Sequence, residues 1–231
     1  MTDVETFPPC AVCGASEFQP RQVLWQALID EWELRPDEAA YVDTQQGTVC
    51  RGCGSNVRSI ALAAALCRSA RFNGTLDAWI ASSPRLSLLE INEAGTLHAR
   101  LRQLPGHAFG AWPDVDLQAL CFADGTFDRI VHSDTLEHVP DPLAALRQMH
   151  RVLRPDGAAV FTVPIIVARM TRSRTGLAPS YHGDPANATP DLLVHTEFGA
   201  DAWALVLAAG FAACEFVAYA PPAGIAIIAW R

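Results

Sequence analysis

Two cysteine pairs of the same form, Cys10-Ala-Val-Cys13-Gly14 and Cys50-Arg-Gly-Cys53-Gly54, constrain this chain more than any other feature. Two residues between the cysteines let both thiolates of a pair grip one ion, and the following glycine supplies the tight turn of a knuckle. Two knuckles complete a tetrahedral shell of four sulfurs, which is closed and therefore structural. The spacing predicts a structural zinc ion on Cys10, Cys13, Cys50 and Cys53, so the fold must bring residue 10 beside residue 50. Residues 14–49, 36 in all, lie between the pairs, which leaves room for a helical hairpin. The plainer alternatives are four ordinary cysteines or one redox pair, and an iron–sulfur cluster is the competing metal reading.

The remaining three of the seven cysteines (Cys67, Cys121, Cys214) are scattered through apolar segments and read as small core residues. An odd count rules out complete internal disulfide pairing, and close pairs in a reducing compartment point to metal. Half of the 231 residues are apolar, enough to bury a sizeable core. A net charge of −8 argues against a nucleic-acid partner that coats phosphates. Met1–Pro9 lacks a positive segment leading into an apolar run, and no apolar stretch reaches the length of a membrane span. The expectation is a soluble cytoplasmic protein with no membrane partner.

The chain divides at about residue 82, where Ser82-Ser83-Pro84 breaks the pattern. Before it, Val23, Leu24, Leu28 and Ile29 recur at helical spacing, Pro36-Asp37-Glu38 starts a second helix, and Ser55 is placed to cap a third. After it, strand and helix signals alternate. Strands are expected at 86–91, 107–112, 127–133, 158–163, 213–219 and 224–230, and helices at 95–104, 142–153 and 200–209. Residues 165–197 carry no clear period and read as an irregular lid or acceptor loop. Alternating strands and helices imply right-handed crossovers and a mainly parallel sheet covered on both faces.

The run Phe127-Asp-Arg-Ile-Val-His-Ser-Asp-Thr-Leu-Glu-His-Val-Pro-Asp-Pro-Leu143, followed by Arg154-Pro-Asp-Gly157 and a strand to Pro164, carries the strongest functional signal. It resembles the second half of a class I S-adenosylmethionine-dependent methyltransferase domain of the type 11-like kind. That family has Phe-Asp at its fourth strand, then a Leu-Glu-His-Val turn, a helix and Leu-Arg-Pro-Gly-Gly; Asp156 stands here for the first of those glycines. His195-Thr-Glu-Phe and Ala209-Gly-Phe211 resemble its later part. The resemblance covers residues 86–230. It implies an α/β fold: a Rossmann-like, doubly wound, mainly parallel sheet, class I methyltransferase-like and shortened in the middle. A small N-terminal zinc-binding module (1–82) would precede that domain (83–231).

The resemblance also implies a cofactor, S-adenosylmethionine, and positions for it. The family's acidic, glycine-rich loop corresponds to Glu90-Ile-Asn92-Glu-Ala94-Gly95, with Asn92 and Ala94 in place of glycines. Asn tolerates positive φ better than most residues, so the turn remains available. Only about 35 residues separate this loop from Phe127, so two of the family's regions are compressed into one. By analogy Asp114 takes the ribose hydroxyls and Asp116 lies near the adenine; solvated turn residues are the other reading. Ser133 and Asp134 end the next strand. Ligands of open parallel sheets bind beyond the carboxyl ends of the strands, which is where Glu90, Asp114, Ser133 and Asp134 fall.

Methyl transfer is an in-line displacement in which positioning dominates, and a base is needed only for an acceptor that carries a proton. His138, Tyr181 and His182 are the candidates for the acceptor side, with His132 and His195 behind them. Arg169, Arg172 and Arg174 either bind an acidic acceptor or form a solvated face. The expected activity is methyl transfer from S-adenosylmethionine to a small-molecule acceptor such as a sugar or secondary metabolite. The alternatives are a methyltransferase-like binding or regulatory protein without catalysis and, disfavoured by the missing Gly-x-Gly-x-x-Gly, a dinucleotide enzyme.

Overall fold

The computed structural model describes residues 7–182, 189–220 and 224–231; residues 1–6 of the acidic N-terminal segment and Gly183 of the acceptor loop lie outside them. The chain forms two compact units. One comprises Met1–Arg85, Gly95–Pro105 and Phe216–Ala226, and the other Leu86–Ala94, Gly106–Glu215 and Ile227–Arg231.

In the first unit, β1 (Phe18–Gln19) pairs antiparallel with β2 (Val49–Cys50). Between them run α1 (Gln26–Glu31) and α2 (Pro36–Gly47), the hairpin that the long spacer allowed. Asp43 joins the two segments, its Oδ1 accepting the amides of Val23 and Leu24 at 2.8 and 2.9 Å. The next helix, α3 (Val57–Ser69), is capped by Asn56, whose Oδ1 accepts the Ser59 amide at 3.0 Å. Ser55 is therefore not the cap; it is fully buried and its hydroxyl bonds that of Thr96 at 2.7 Å. A helix that periodicity did not reveal, α4 (Leu76–Ala81), starts at the Thr75 hydroxyl, which accepts the Ala78 amide. The expected helix at 95–104 is one 3-10 turn (Gly95–Leu97) followed by α5 (His98–Leu101).

The second unit holds most of a six-stranded sheet, of which residues 216–219 and 224–226 group with the first unit. Its strands are β3 (Leu88–Ile91), β4 (His107–Gly110), β5 (Phe127–Ser133), β6 (Leu153–Thr162), β9 (Ala213–Tyr219) and β10 (Gly224–Trp230). Their spatial order is β4-β3-β5-β6-β10-β9. Strands β4, β3, β5 and β6 are parallel, and β10 runs antiparallel to β6. The residues of β3 are all buried, as a strand covered on both faces requires. Between β4 and β5 there is only a 3-10 turn (Leu117–Ala119) among the described elements, which is the shortening that the sequence spacing implied.

Helix α6 (Pro142–Val152) opens with Pro142 behind Asp141, whose Oδ1 accepts the Ala144 amide at 2.9 Å. Its buried face is Ala145, Leu146, Met149 and Val152, spaced as a core-facing helix requires. Asp128, of the Phe-Asp signature, works at the amino edge of the sheet. Its Oδ2 accepts the Ser87 amide at 2.7 Å and pairs with Arg154 at 2.9 Å. Gly106 allows the closest approach there: a Cβ would stand 2.0 Å from the Leu86 carbonyl oxygen. Residues 165–197 are less irregular than expected, since β7 (Arg172–Ser173) and β8 (Thr196–Glu197) form a two-stranded antiparallel ribbon. A last helix, α7 (Ala202–Ala208), leads into β9.

His132 sits fully buried in β5, its ring stacked 4.8 Å from Phe161, and neither ring nitrogen has a hydrogen-bond partner. Burial pushes its pKa down to about 3, so the folded chain holds it neutral. In the unfolded chain it protonates near about 6.5, so its contribution to stability is complete above that value and is lost as pH falls toward about 3. His132→Leu is expected to flatten this acid slope in urea titrations at several pH values. At neutral pH it leaves stability equal or about 1 kcal/mol higher, because two unsatisfied polar atoms are removed. A loss above about 2 kcal/mol would contradict this reading.

Candidate functional site

The two cysteine knuckles have the same backbone plan. Gly14 N donates to Cys10 O at 2.7 Å and Gly54 N to Cys50 O at 2.8 Å, while Cys10 N and Cys50 N donate to Ala15 O and Ser55 O. Both glycines take positive φ, +85° and +75°. Cys10 Sγ lies 3.7 Å from Cys53 Sγ, and Cys13 Sγ 3.7 Å from Cys50 Sγ. All four sulfurs lie within 4.8 Å of one another. A disulfide would need about 2.05 Å, whereas four sulfurs around one zinc stand about 3.8 Å apart along the tetrahedral edges. The donor set fits a single tetrahedral ion. Burial pushes the Cys10 and Cys13 thiols up; at Cys53 burial acts in the same sense, but bonds from Ser55 bring the net shift down.

The second cluster of predicted residues lies at the carboxyl edge of the parallel strands. Strand β3 ends in Glu90 and Ile91, then turns at Asn92, which adopts the left-handed conformation (φ +53°) usual for glycine. Glu90 is fully buried; its Oε1 accepts the Ala94 amide at 2.8 Å and its Oε2 meets His107 Nε2 at 2.7 Å. Ala94 is itself fully buried, so its methyl group adds nothing to the exposed side of the turn, where Glu93 lies. Asn92 Oδ1 accepts the Trp112 amide at 3.1 Å, which joins the ends of β3 and β4. The chain passes from β3 to β4 on one side and returns to β5 on the other, so this edge is the topological switch point.

At the end of β5, Ser133 faces Thr162 of β6 in the parallel register, and their hydroxyls are 2.9 Å apart. Asp134 turns with φ +43°; its amide donates to Thr162 O at 3.0 Å and its Oδ1 accepts the Thr162 hydroxyl at 2.8 Å. Asp114 is exposed beyond β4. Asp116 Oδ1 accepts the Gln118 amide at 2.8 Å, which caps the 3-10 turn. Gly95 takes φ +56° and opens the 3-10 turn after the loop. Glu90, Asn92, Ser133 and Asp134 are thus all at strand ends, and Asp116 serves its own turn.

The acceptor-side candidates converge only in part. His138 and His182 meet edge to face with ring centroids 4.9 Å apart, and Glu137 Oε1 lies 3.6 Å from His138 Nε2 and from His182 Nδ1. Glu137 is almost fully buried, and sequence reasoning did not single it out although it lies inside the quoted Leu-Glu-His-Val motif. Burial holds His138 below its ordinary pKa, partly offset by the bond from its Nδ1 to Leu193 O at 3.0 Å. Tyr181 bridges the backbone of Leu193, next to the pair. His195 contributes its amide, which donates to Glu137 O at 2.8 Å.

Arg172 and Arg174 are engaged by one residue. Arg172 Nε lies 2.6 Å from Glu197 Oε2, and Arg174 bonds the other oxygen of Glu197 and the Ala178 carbonyl. Burial alone would raise the Glu197 carboxyl, yet the two guanidiniums hold it below the usual range. These arginines balance a charge inside the ribbon.

The family model described as "Methyltransferase domain" matches residues 87–161. An uncharacterized methyltransferase of Mycobacterium sp. (strain KMS) is 41% identical over 59 residues, covering 26% of this chain and 23% of the relative. The ubiquinone biosynthesis O-methyltransferase of Pseudomonas aeruginosa (strain UCBPP-PA14) is 26% identical over 131 residues, covering 54% of this chain and 49% of the relative. The matches therefore span a half or less of these relatives. Among solved structures, a SAM-dependent methyltransferase from Methanosarcina mazei is 15% identical with a TM-score of 0.42, over 66% of this chain and 96% of that one. The match to the methyltransferase domain family thus runs from β3 through most of β6.

Proposed function

We propose that this chain transfers a methyl group from S-adenosylmethionine to a small-molecule acceptor, with a structural zinc in its N-terminal module. The observation that carries the reading is the loop after β3. Glu90 and the left-handed Asn92 build an acidic turn at the switch point, within the segment that matches the methyltransferase domain. On this reading the zinc module would be residues 1–82 and the methyltransferase-like part 83–231.

Glu90 holds the loop from beneath, Asn92 supplies the turn where the backbone approaches the cofactor, and Asp114 or Asp134 would accept the ribose hydroxyls. Carboxylates at this edge also favour a cationic sulfonium. The methyl group passes from sulfur to the acceptor's nucleophilic atom, leaving S-adenosylhomocysteine. An acceptor that bears a proton would lose it beside the cluster of Glu137, His138 and His182 that follows β5. Because Glu197 already pairs with Arg172 and Arg174, an acidic acceptor would compete with an internal carboxylate, which favours a neutral acceptor such as a hydroxyl compound. A cytoplasmic location suits thiolates that must stay reduced to hold zinc.

Isothermal calorimetry with S-adenosylmethionine and S-adenosylhomocysteine is expected to show one site with a Kd on the order of 10 μM, about −7 kcal/mol. Glu90→Gln weakens it about tenfold, because the carboxylate that accepts the Ala94 amide is replaced by a poorer acceptor. No heat with either ligand at about 1 mM would favour the binding-protein alternative.

Elemental analysis after exhaustive dialysis is expected to find one tightly held zinc per chain. Cys13→Ser or Cys53→Ser should release it and lower the thermal stability of the first unit, since binding energy at such a site is folding energy. Iron, or no metal, would contradict the zinc assignment.

A further inference from the structure

We infer that Glu137, His138 and His182 form a second metal site, for a divalent transition-metal ion held by two imidazole nitrogens and one carboxylate oxygen. One donor atom from each lies within 4.8 Å of the others. The two measured nitrogen–oxygen separations, His138 Nε2 to Glu137 Oε1 and His182 Nδ1 to the same oxygen, are both 3.6 Å. That spacing is longer than a hydrogen bond. It is close to the edge of a tetrahedral site, where donors about 2.1 Å from an ion stand about 3.4 Å apart.

The surrounding bonds orient the donors. Nδ1 of His138 donates its proton to Leu193 O at 3.0 Å, which fixes the tautomer and leaves the lone pair on Nε2, the atom that faces Glu137. Metal-binding histidines are held in this way by a carbonyl behind the ring. The backbone of Glu137 is fastened by the His195 amide at 2.8 Å, and that of His182 by its own amide bond to Leu192 O at 3.1 Å. Val194 N donates to Ser180 O at 2.9 Å, and Tyr181 bridges Leu193. One strand-like segment, residues 192–195, therefore clamps both halves of the cluster, although they are more than 40 positions apart in the chain.

Two imidazoles and one carboxylate suit zinc, cobalt, nickel or ferrous iron better than calcium or magnesium, which prefer all-oxygen shells. Three protein donors leave at least one position open for water or for an oxygen of a ligand. On the methyl-transfer reading, that position would take an acceptor oxygen, and the cation rather than an imidazole would ease loss of its proton. Metal binding itself does not depend on that reading.

Cobalt(II) added to the zinc-loaded full chain tests the site without any cofactor or activity. The expected result is weak visible d–d bands of nitrogen and oxygen ligation that saturate near one equivalent, without thiolate-to-metal charge transfer. Glu137→Gln combined with His182→Ala is expected to weaken binding more than about a hundredfold while the tightly held zinc remains. His182→Ala alone, at a half-buried loop position, serves if the double variant is unstable. Absence of the bands at millimolar cobalt, equal binding by wild type and variants, or bands with thiolate charge transfer alone would overturn the proposal. None of these outcomes bears on S-adenosylmethionine binding, which calorimetry reads separately.

Discussion

A carboxylate cut off from water must find its hydrogen-bond donors inside the protein, and the way Glu90 does so shapes the working edge of the sheet. It is fully buried at the end of β3, with one oxygen on the Ala94 amide and the other on His107 of the neighbouring strand. Truncating that side chain would leave the loop amide and the imidazole to be satisfied some other way, a cost larger than the worth of either bond alone. The same interaction draws the chain into the tight turn at Asn92. Asn92 then joins β4 through Trp112, and the parallel register carries the alignment across β5 to Thr162 of β6.

The edge so built has a division of labour that the family signature conceals. Asp128 is among its most recognisable residues, yet it sits at the amino edge and ties Ser87 to Arg154. The residues at the carboxyl edge are the less typical ones, Asn92 and Ala94, and both fit their places. Asn92 takes the left-handed conformation, and the methyl of Ala94 is turned inward. Asp156, standing for another glycine, also adopts positive φ (+64°). Asp and Asn reach this region at less cost than other side chains, so the substitutions preserve backbone geometry that glycine would otherwise provide.

Strands and long helices were legible because burial writes a period into them: β5, β9 and β10 run as expected, and α6 ends one residue early. Short elements were not. Helix α4 is six residues long, and the β1–β2 and β7–β8 ribbons have two residues per strand, too few for any period to show. Ser55 and Asn56 are both good capping residues, but the Ser55 hydroxyl bonds Thr96 and it is Asn56 that caps the helix. In the cysteine cluster the duplicated motif placed all four sulfurs, because local spacing alone defines each knuckle. The Glu137 cluster was half visible: His138 and His182 stood out as acceptor-side histidines, but Glu137 did not, and their convergence depends on a loop path set by backbone bonds to residues 192–195.

The carboxyl edge of β3, β4 and β5 is the proposed binding place of the cofactor. A crystal structure of the chain soaked with S-adenosylhomocysteine tests this most directly. Density for the ligand is expected against the Asn92 turn, with its ribose toward Asp114 or Asp134. Density at another face of the molecule, or none at a saturating concentration, would contradict it.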